Sequence, residues 1–156
     1  MLRERIIAYS KGDDLRWFWT LFWRREQAKN KFIKDILTFL YNRSAHKHGG
    51  YIGNGAIIAG PLSLPHGLHG VYISRYAGIG TNCRIYQNVT IGEVNHLAPR
   101  IGDNCLIGAG AILVGDIRIG DNAKIGAGAV VSLDIPDNCT VVPQPPRIIE
   151  REKEDA

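Results

Sequence analysis

From Ile73 onward the chain places an aliphatic residue at every sixth position: Ile73, Ile79, Ile85 and Ile91, then, after four inserted residues, Ile101, Ile107, Leu113, Ile119, Ile125 and Val131. Upstream the same step fits Ile52, Ile58 and Leu64, with three inserted residues before Ile73. Two positions ahead of these residues runs a second column, mostly small and apolar: Val71, Ala77, Cys83, Val89, Pro99, Cys105, Ala111, Ile117, Ala123 and Ala129. Both columns are expected to point inward. A six-residue unit is too short for a helix. Gly follows the aliphatic residue at Gly53, Gly80, Gly92, Gly102, Gly108, Gly120 and Gly126, and Asp103-Asn104 and Asp121-Asn122 add turn formers. The units therefore read as very short strands joined by tight turns in which Gly and Asn take positive φ. Stacked, they predict a mainly β fold, a parallel β-helix with three units to a coil of eighteen residues. Coils begin near Ile52, Ile73, Ile91, Leu113 and Val131, about five in all, the last incomplete.

The first 48 residues follow a different period. After Asp13-Asp14, a predicted N-cap, apolar residues fall at Leu15, Phe18, Trp19 and Phe22, and again at Ile33, Ile36, Leu37 and Leu40, the i, i+3, i+4, i+7 spacing of one helical face. A third, short helix is predicted around Arg3–Tyr9. The run Trp17-Phe18-Trp19-Thr20-Leu21-Phe22-Trp23, backed by Arg24-Arg25, is apolar on more than one helical face and must cover something. Two readings follow: packing on the main domain or a neighbouring subunit, or a membrane-surface helix with aromatic and basic anchors. Gly49-Gly50 marks the change of structure. The chain thus divides into an N-terminal α-helical segment (1–48), a β-helix domain (49–149) and a charged tail (150–156).

Composition narrows the function. The 156 residues suit one globular domain and are too few for two full-sized ones. No apolar stretch is long enough to span a bilayer and no signal peptide opens the chain, so the cytoplasm is the expected compartment, with membrane association left to the N-terminal helix. Cys83, Cys105 and Cys139 are far apart and without CxxC spacing, which points to reduced thiols rather than a disulfide framework or zinc site. The net charge of +4 is uneven: residues 1–48 hold eleven Lys/Arg against five Asp/Glu, the remainder eight against ten. With no helix-turn-helix, zinc-finger or single-strand-binding motif, nucleic acid is not an expected partner.

The three histidines of the repeat region all lie in its insertions: His66 and His69 in Leu64-Pro65-His66-Gly67-Leu68-His69-Gly70-Val71, and His96 in Glu93-Val94-Asn95-His96-Leu97-Ala98-Pro99. By face counting, the first insertion sits between the third face of coil one and the first of coil two, while the second follows the first face of coil three. These are different corners of one chain, and a threefold trimer would let one subunit's first corner face its neighbour's second.

Over Tyr51 to Ile149 the repeat resembles the left-handed parallel β-helix of hexapeptide-repeat acyltransferases. The stretches Pro65–Ile73, Tyr86-Gln87-Asn88-Val89-Thr90-Ile91-Gly92 and Ile107-Gly108-Ala109-Gly110-Ala111 resemble serine acetyltransferases and related sugar O-acetyltransferases. The resemblance implies His66 as general base, with His69 as fallback and His96 as a further candidate. It implies acetyl-CoA as donor, with no metal, held along Gly108, Ala109, Gly110, Gly126 and Ala127 with Lys124 and Arg147 on its phosphates, and acceptor contacts from Tyr86, Gln87, Asn88 and Asn95. Such chemistry needs a base because an alcohol's pKa lies far above 7, and an oxyanion donor, for which a backbone N–H near Gly92 in an exposed turn is the candidate. Three positions depart from serine acetyltransferases: Ala98 stands where they carry a second His, Gly50-Tyr51 where they carry an acid that orients the base, and Val142-Pro143-Gln144-Pro145-Pro146-Arg147 where they end in Gly-x-Pro-Ala-Lys/Arg. The short basic helical segment favours a saccharide hydroxyl over serine as acceptor. Competing classes are a trimeric carbonic-anhydrase-like metal enzyme using all three histidines and a catalytically silent scaffold.

Overall fold

The computed structural model describes residues 14–145 and 148–149. The helix expected at Arg3–Tyr9, Arg147 and the tail 150–156 lie outside them. Two helices, α1 (Arg16–Gln27) and α2 (Lys31–Lys47), precede a parallel β-solenoid of thirteen very short strands. One sheet stacks β1 (Tyr51–Ile52), β3 (Tyr72–Ile73), β6 (Thr90–Gly92), β9 (Ile112–Val114) and β12 (Val130–Val131). A second stacks β2 (Ile57–Ile58), β4 (Gly78–Ile79), β7 (Arg100–Ile101) and β10 (Arg118–Ile119). The third stacks β5 (Arg84–Ile85), β8 (Leu106–Ile107), β11 (Lys124–Ile125) and β13 (Thr140–Val141). Single bridges, Ile119 to Ile135 and Ser63 to Arg84, extend the second and third faces by one rung.

Both inward columns are as the period predicts. Ile73, Ile79, Ile85, Ile91, Ile101, Ile107, Leu113, Ile119, Ile125 and Val131 are buried, and so is every member of the small column two positions earlier. Register explains this: each strand pairs with the one a coil away, Ile85 with Ile107 and Ile107 with Ile125, so an inward residue always meets an inward residue. Each buried aliphatic contributes roughly 1.5–3 kcal/mol of transfer free energy.

The three corners of the prism differ in chemistry. Corner three, from the second sheet to the third, is a ladder of side chains: Asp103 Oδ1 accepts from Thr81 N–H, Asp121 Oδ1 from Asp103 N–H and Asp137 Oδ1 from Asp121 N–H, at 2.5, 2.8 and 2.9 Å. Beside it Asn82, Asn104, Asn122 and Asn138 take the positive φ of the turn, at 54–60°. The glycine of the repeat serves a different need here. A Cβ on Gly102 would stand 2.2 Å from Asp121 Oδ1, so the position is small to admit the ladder. Corners one (third sheet to first) and two (first sheet to second) hold the insertions.

The helices close the open end of the first coil. Phe18, Leu21, Phe22, Tyr41 and Ala45 join the same core as Ile52, Leu68 and Val71. The Tyr41 ring lies 5.0 Å from Phe18 and 5.7 Å from Phe22, and its hydroxyl donates to Ile52 O at 2.6 Å. The aromatic run of α1 is therefore mainly a packing face. For α2 the expected face is wrong: Ile33, Ile36 and Leu40 are exposed and Leu37 only partly buried, while Tyr41 and Ala45 are buried. Period alone could not choose, because α2 is apolar on two sides and only the Tyr41 side meets both α1 and Ile52. The N-cap also differs. Leu15 occupies it without a side-chain cap, and Asp14 Oδ1 accepts from Arg16 N–H at 3.2 Å instead.

Candidate active site

Corner one gathers most of the predicted site. The Pro65–Gly70 insertion is anchored from beneath by the fully buried Leu68, with Gly67 N–H donating to Leu64 O at 3.0 Å and Val71 N–H to Leu68 O at 2.9 Å. That anchoring leaves His66 on the surface, its ring 5.9 Å from that of Tyr86 and inclined by 46°. His69 turns the other way: its Nδ1 would lie 3.7 Å from a Cβ on Gly49, at the junction with α2, and Gly70 N–H donates to Gly49 O at 2.8 Å. The loop turns the two histidines apart although only two residues stand between them.

Below the loop the corner continues coil by coil. Asn88 N–H donates to His69 O, Gly110 N–H to Gln87 O and Gly128 N–H to Ala109 O, at 2.9, 3.0 and 2.8 Å. Tyr86, Gln87 and Asn88 thus lie directly between the histidine loop and the strip Gly108-Ala109-Gly110 and Gly126-Ala127-Gly128. Gln87 Oε1 is buried there without a hydrogen-bond partner. The glycines are of two kinds. A Cβ on Gly108 would stand 2.6 Å from Ala127 N, so this residue is small for coil stacking; Gly110, at φ +70°, would meet nothing within 4 Å. The outer surface of the strip is bare, open to a ligand. Lys124 is exposed on the third sheet, in register with Leu106 and Thr140. Arg147 falls outside the described residues.

Corner two holds the other set. Val94 and Leu97 exchange backbone hydrogen bonds at 2.9 and 3.0 Å, and the two residues between them, Asn95 and His96, both have positive φ, 52° and 66°. This is a two-residue turn of the type I′ kind, and it puts His96 at its tip with 78% of the side chain exposed. The His96 ring lies 5.2 Å from Tyr76, and Nδ1 lies 3.9 Å from Glu93 Oε1. The other Glu93 oxygen accepts from the Ser74 hydroxyl. Ser74, Tyr76 and Glu93 escaped the reading of the chain. The signal was available, since Ser74 and Glu93 are nineteen residues apart and follow the same face of successive coils. Ala98, in the position of the second family histidine, is buried.

Gly92 needs a correction. It is the last residue of β6, half-buried and in register with Val114, not part of an exposed turn, because the insertion starts only after the strand ends. Within one chain, Gly92, Asn95 and His96 at corner two are not brought together with His66, His69 and the strip at corner one. Nor do the three histidines converge: among the described residues no three His, Cys, Asp or Glu side chains are grouped to hold a metal.

Residues 98–132 match the bacterial transferase hexapeptide (six repeats) family. Serine acetyltransferase from Staphylococcus epidermidis is 43% identical over 136 residues, 85% of this chain and 60% of that one. The Synechococcus elongatus serine acetyltransferase is 42% identical over 101 residues, 62% of this chain and 41% of its own. Among solved structures, the Brucella abortus serine acetyltransferase superposes with a TM-score of 0.70 at 32% identity, covering 85% of this chain and 53% of the other. The Neisseria gonorrhoeae serine acetyltransferase in complex with serine gives 0.65 at 41%, covering 72% and 47%. The chain therefore spans 41–60% of the length of these two sequence relatives. Over that span, repeat, parallel solenoid and relatives agree: the chain is similar to serine acetyltransferases and fits the hexapeptide-repeat acyltransferase pattern.

Proposed function

We propose that the chain transfers the acetyl group of acetyl-CoA to the hydroxyl of serine, with His66 as general base. The observation that carries this is the placing at corner one of His66 beside Tyr86, one coil above the bare strip at Gly110 and Gly128. His66 takes the hydroxyl proton as the new C–O bond forms, and the imidazolium then protonates the departing CoA thiolate, so no covalent enzyme intermediate is needed. The donor lies along the strip, its phosphates toward Lys124 and Arg147, and Tyr86, Gln87 and Asn88 border the acceptor. Serine replaces the saccharide expected from the short helical segment, because the relatives at 42–43% identity are serine acetyltransferases.

Within this reading the working site is shared by two chains of a homotrimer, a neighbour's corner two bringing Asn95, His96 and the Gly92 backbone to corner one. The chain should scatter light as a trimer; a stable monomer with full activity would end the shared-site idea. Thiol release from acetyl-CoA is to be measured with serine and with a panel of sugars. Serine should be the preferred acceptor. Faster turnover of a sugar would overturn the acceptor, and no release with any hydroxyl would overturn the transferase reading itself.

A further inference from the structure

Helix α2 has one packed side and, opposite it, an outward apolar stripe. Lys34, Thr38, Tyr41 and Ala45, spaced i, i+4, i+7 and i+11, form the side packed on α1 and the first coil. Phe32, Ile36, Phe39 and Arg43, with the same spacing two residues earlier, point the other way, flanked by Ile33 and Leu40. Phe32 and Phe39 are 72% and 69% exposed, and Trp17 of α1 adds a third exposed ring at 60%. A large outward apolar stripe on a helix that already has a packing face needs a second partner.

The charge around the stripe selects that partner. Residues 28–47 hold five Lys/Arg against one acid, Asp35; Lys34 lies on the packed side, which leaves Lys29, Lys31, Arg43 and Lys47 around the stripe. Among the described residues no carboxylate pairs with any of the five. Two copies meeting through this face would set cations against cations. A recess of about 550 Å³ at the C-terminal end of the stripe has Trp17 and Leu40 as its apolar lining and Arg43 and Lys47 among its polar lining. An apolar ridge bordered by unpaired cations suits a deformable anionic layer rather than a shaped protein groove. We infer that α2, with Trp17, docks the chain onto an anionic lipid surface, the aromatic and aliphatic side chains entering the headgroup boundary and the lysines and arginines meeting lipid phosphates. The inference is independent of the acetyl-transfer reading.

The test is flotation of the full chain with vesicles of phosphatidylcholine alone and of phosphatidylcholine containing phosphatidylglycerol. Binding is expected only to the anionic vesicles, and it should weaken as salt rises. The surface pair R43E/K47E should lower partitioning by at least ~10-fold. F32S/F39S should lower it comparably while the thermal melt stays that of the parent. Equal binding to both vesicle types, or none to either, overturns the inference. So does self-association of the parent that F32S/F39S abolishes, which would make a second copy the occupant. Binding that emerges only when residues 1–13 are deleted also overturns it, since that segment would then cover the stripe in the full chain.

Discussion

Cys83 and Cys105 stand on successive rungs of one inward column, each thiol donating to a main-chain carbonyl of the next coil, Cys83 Sγ to Gly102 O and Cys105 Sγ to Gly120 O, both at 3.1 Å. Their twenty-two-residue separation is one coil of eighteen plus the four-residue insertion, and Ala123 continues the column. Both are free thiols. The hydrogen bond shared with Cys105, together with burial, pushes the Cys83 thiol well above its ordinary range. Because Cys83 and Cys105 are fully buried, a thiol-specific reagent under native conditions should titrate Cys139, which is half-buried, and reach those two only on unfolding. Three fast-reacting thiols in the folded protein would show the column to be misplaced.

His66 is exposed and outside both inward columns, so His66→Ala should leave stability within about 0.5 kcal/mol of the parent. Acetyl transfer should fall by roughly 10²–10⁴-fold with acetyl-CoA affinity retained. His69→Ala, facing the helix junction, should cost less, and His96→Ala should raise the acceptor KM. Kinetics on a genuine acceptor decide: near-parental turnover of His66→Ala with loss in His69→Ala would move the base by three residues.

The two kinds of glycine in the strip separate stacking from ligand approach. Gly108→Ala drives a methyl toward Ala127 N and should destabilise by about 3 kcal/mol. Gly110→Ala adds a methyl on the open side and costs only about 1–2 kcal/mol for its positive φ. Thermal melts with and without acetyl-CoA check this. Gly110→Ala should lose most of the ligand-induced rise in Tm, and an undiminished rise would remove the donor from the strip.

Asp103 accepts both the backbone N–H and the hydroxyl of Thr81, and these bonds hold its carboxyl below the ordinary range. A carboxyl with a depressed folded pKa adds stability above its unfolded value, near pH ~4, and loses it as pH falls through the folded value. Parent and Asp103→Asn should thus differ in Tm at pH 6 and converge in acid. A gap that is constant with pH would mean the ladder depends on shape alone.

The six-residue period already determined the solenoid. Only an inward residue can be aliphatic at every sixth position, because each strand is too short to bury anything but its own two columns, and neighbouring coils impose the same choice at Ile85, Ile107 and Ile125. The placement of His66 and His96 at different corners was also legible, by counting faces. Tertiary structure decided what counting could not. Leu68 burial splays His66 toward Tyr86 and His69 toward Gly49, a loop conformation with no period to read. Glu93 meets Ser74 only because the coils stack in register. The stripe of α2 that faces inward was chosen by Tyr41 reaching Ile52 and the rings of α1, since a helix apolar on two sides carries no local signal for which side is covered.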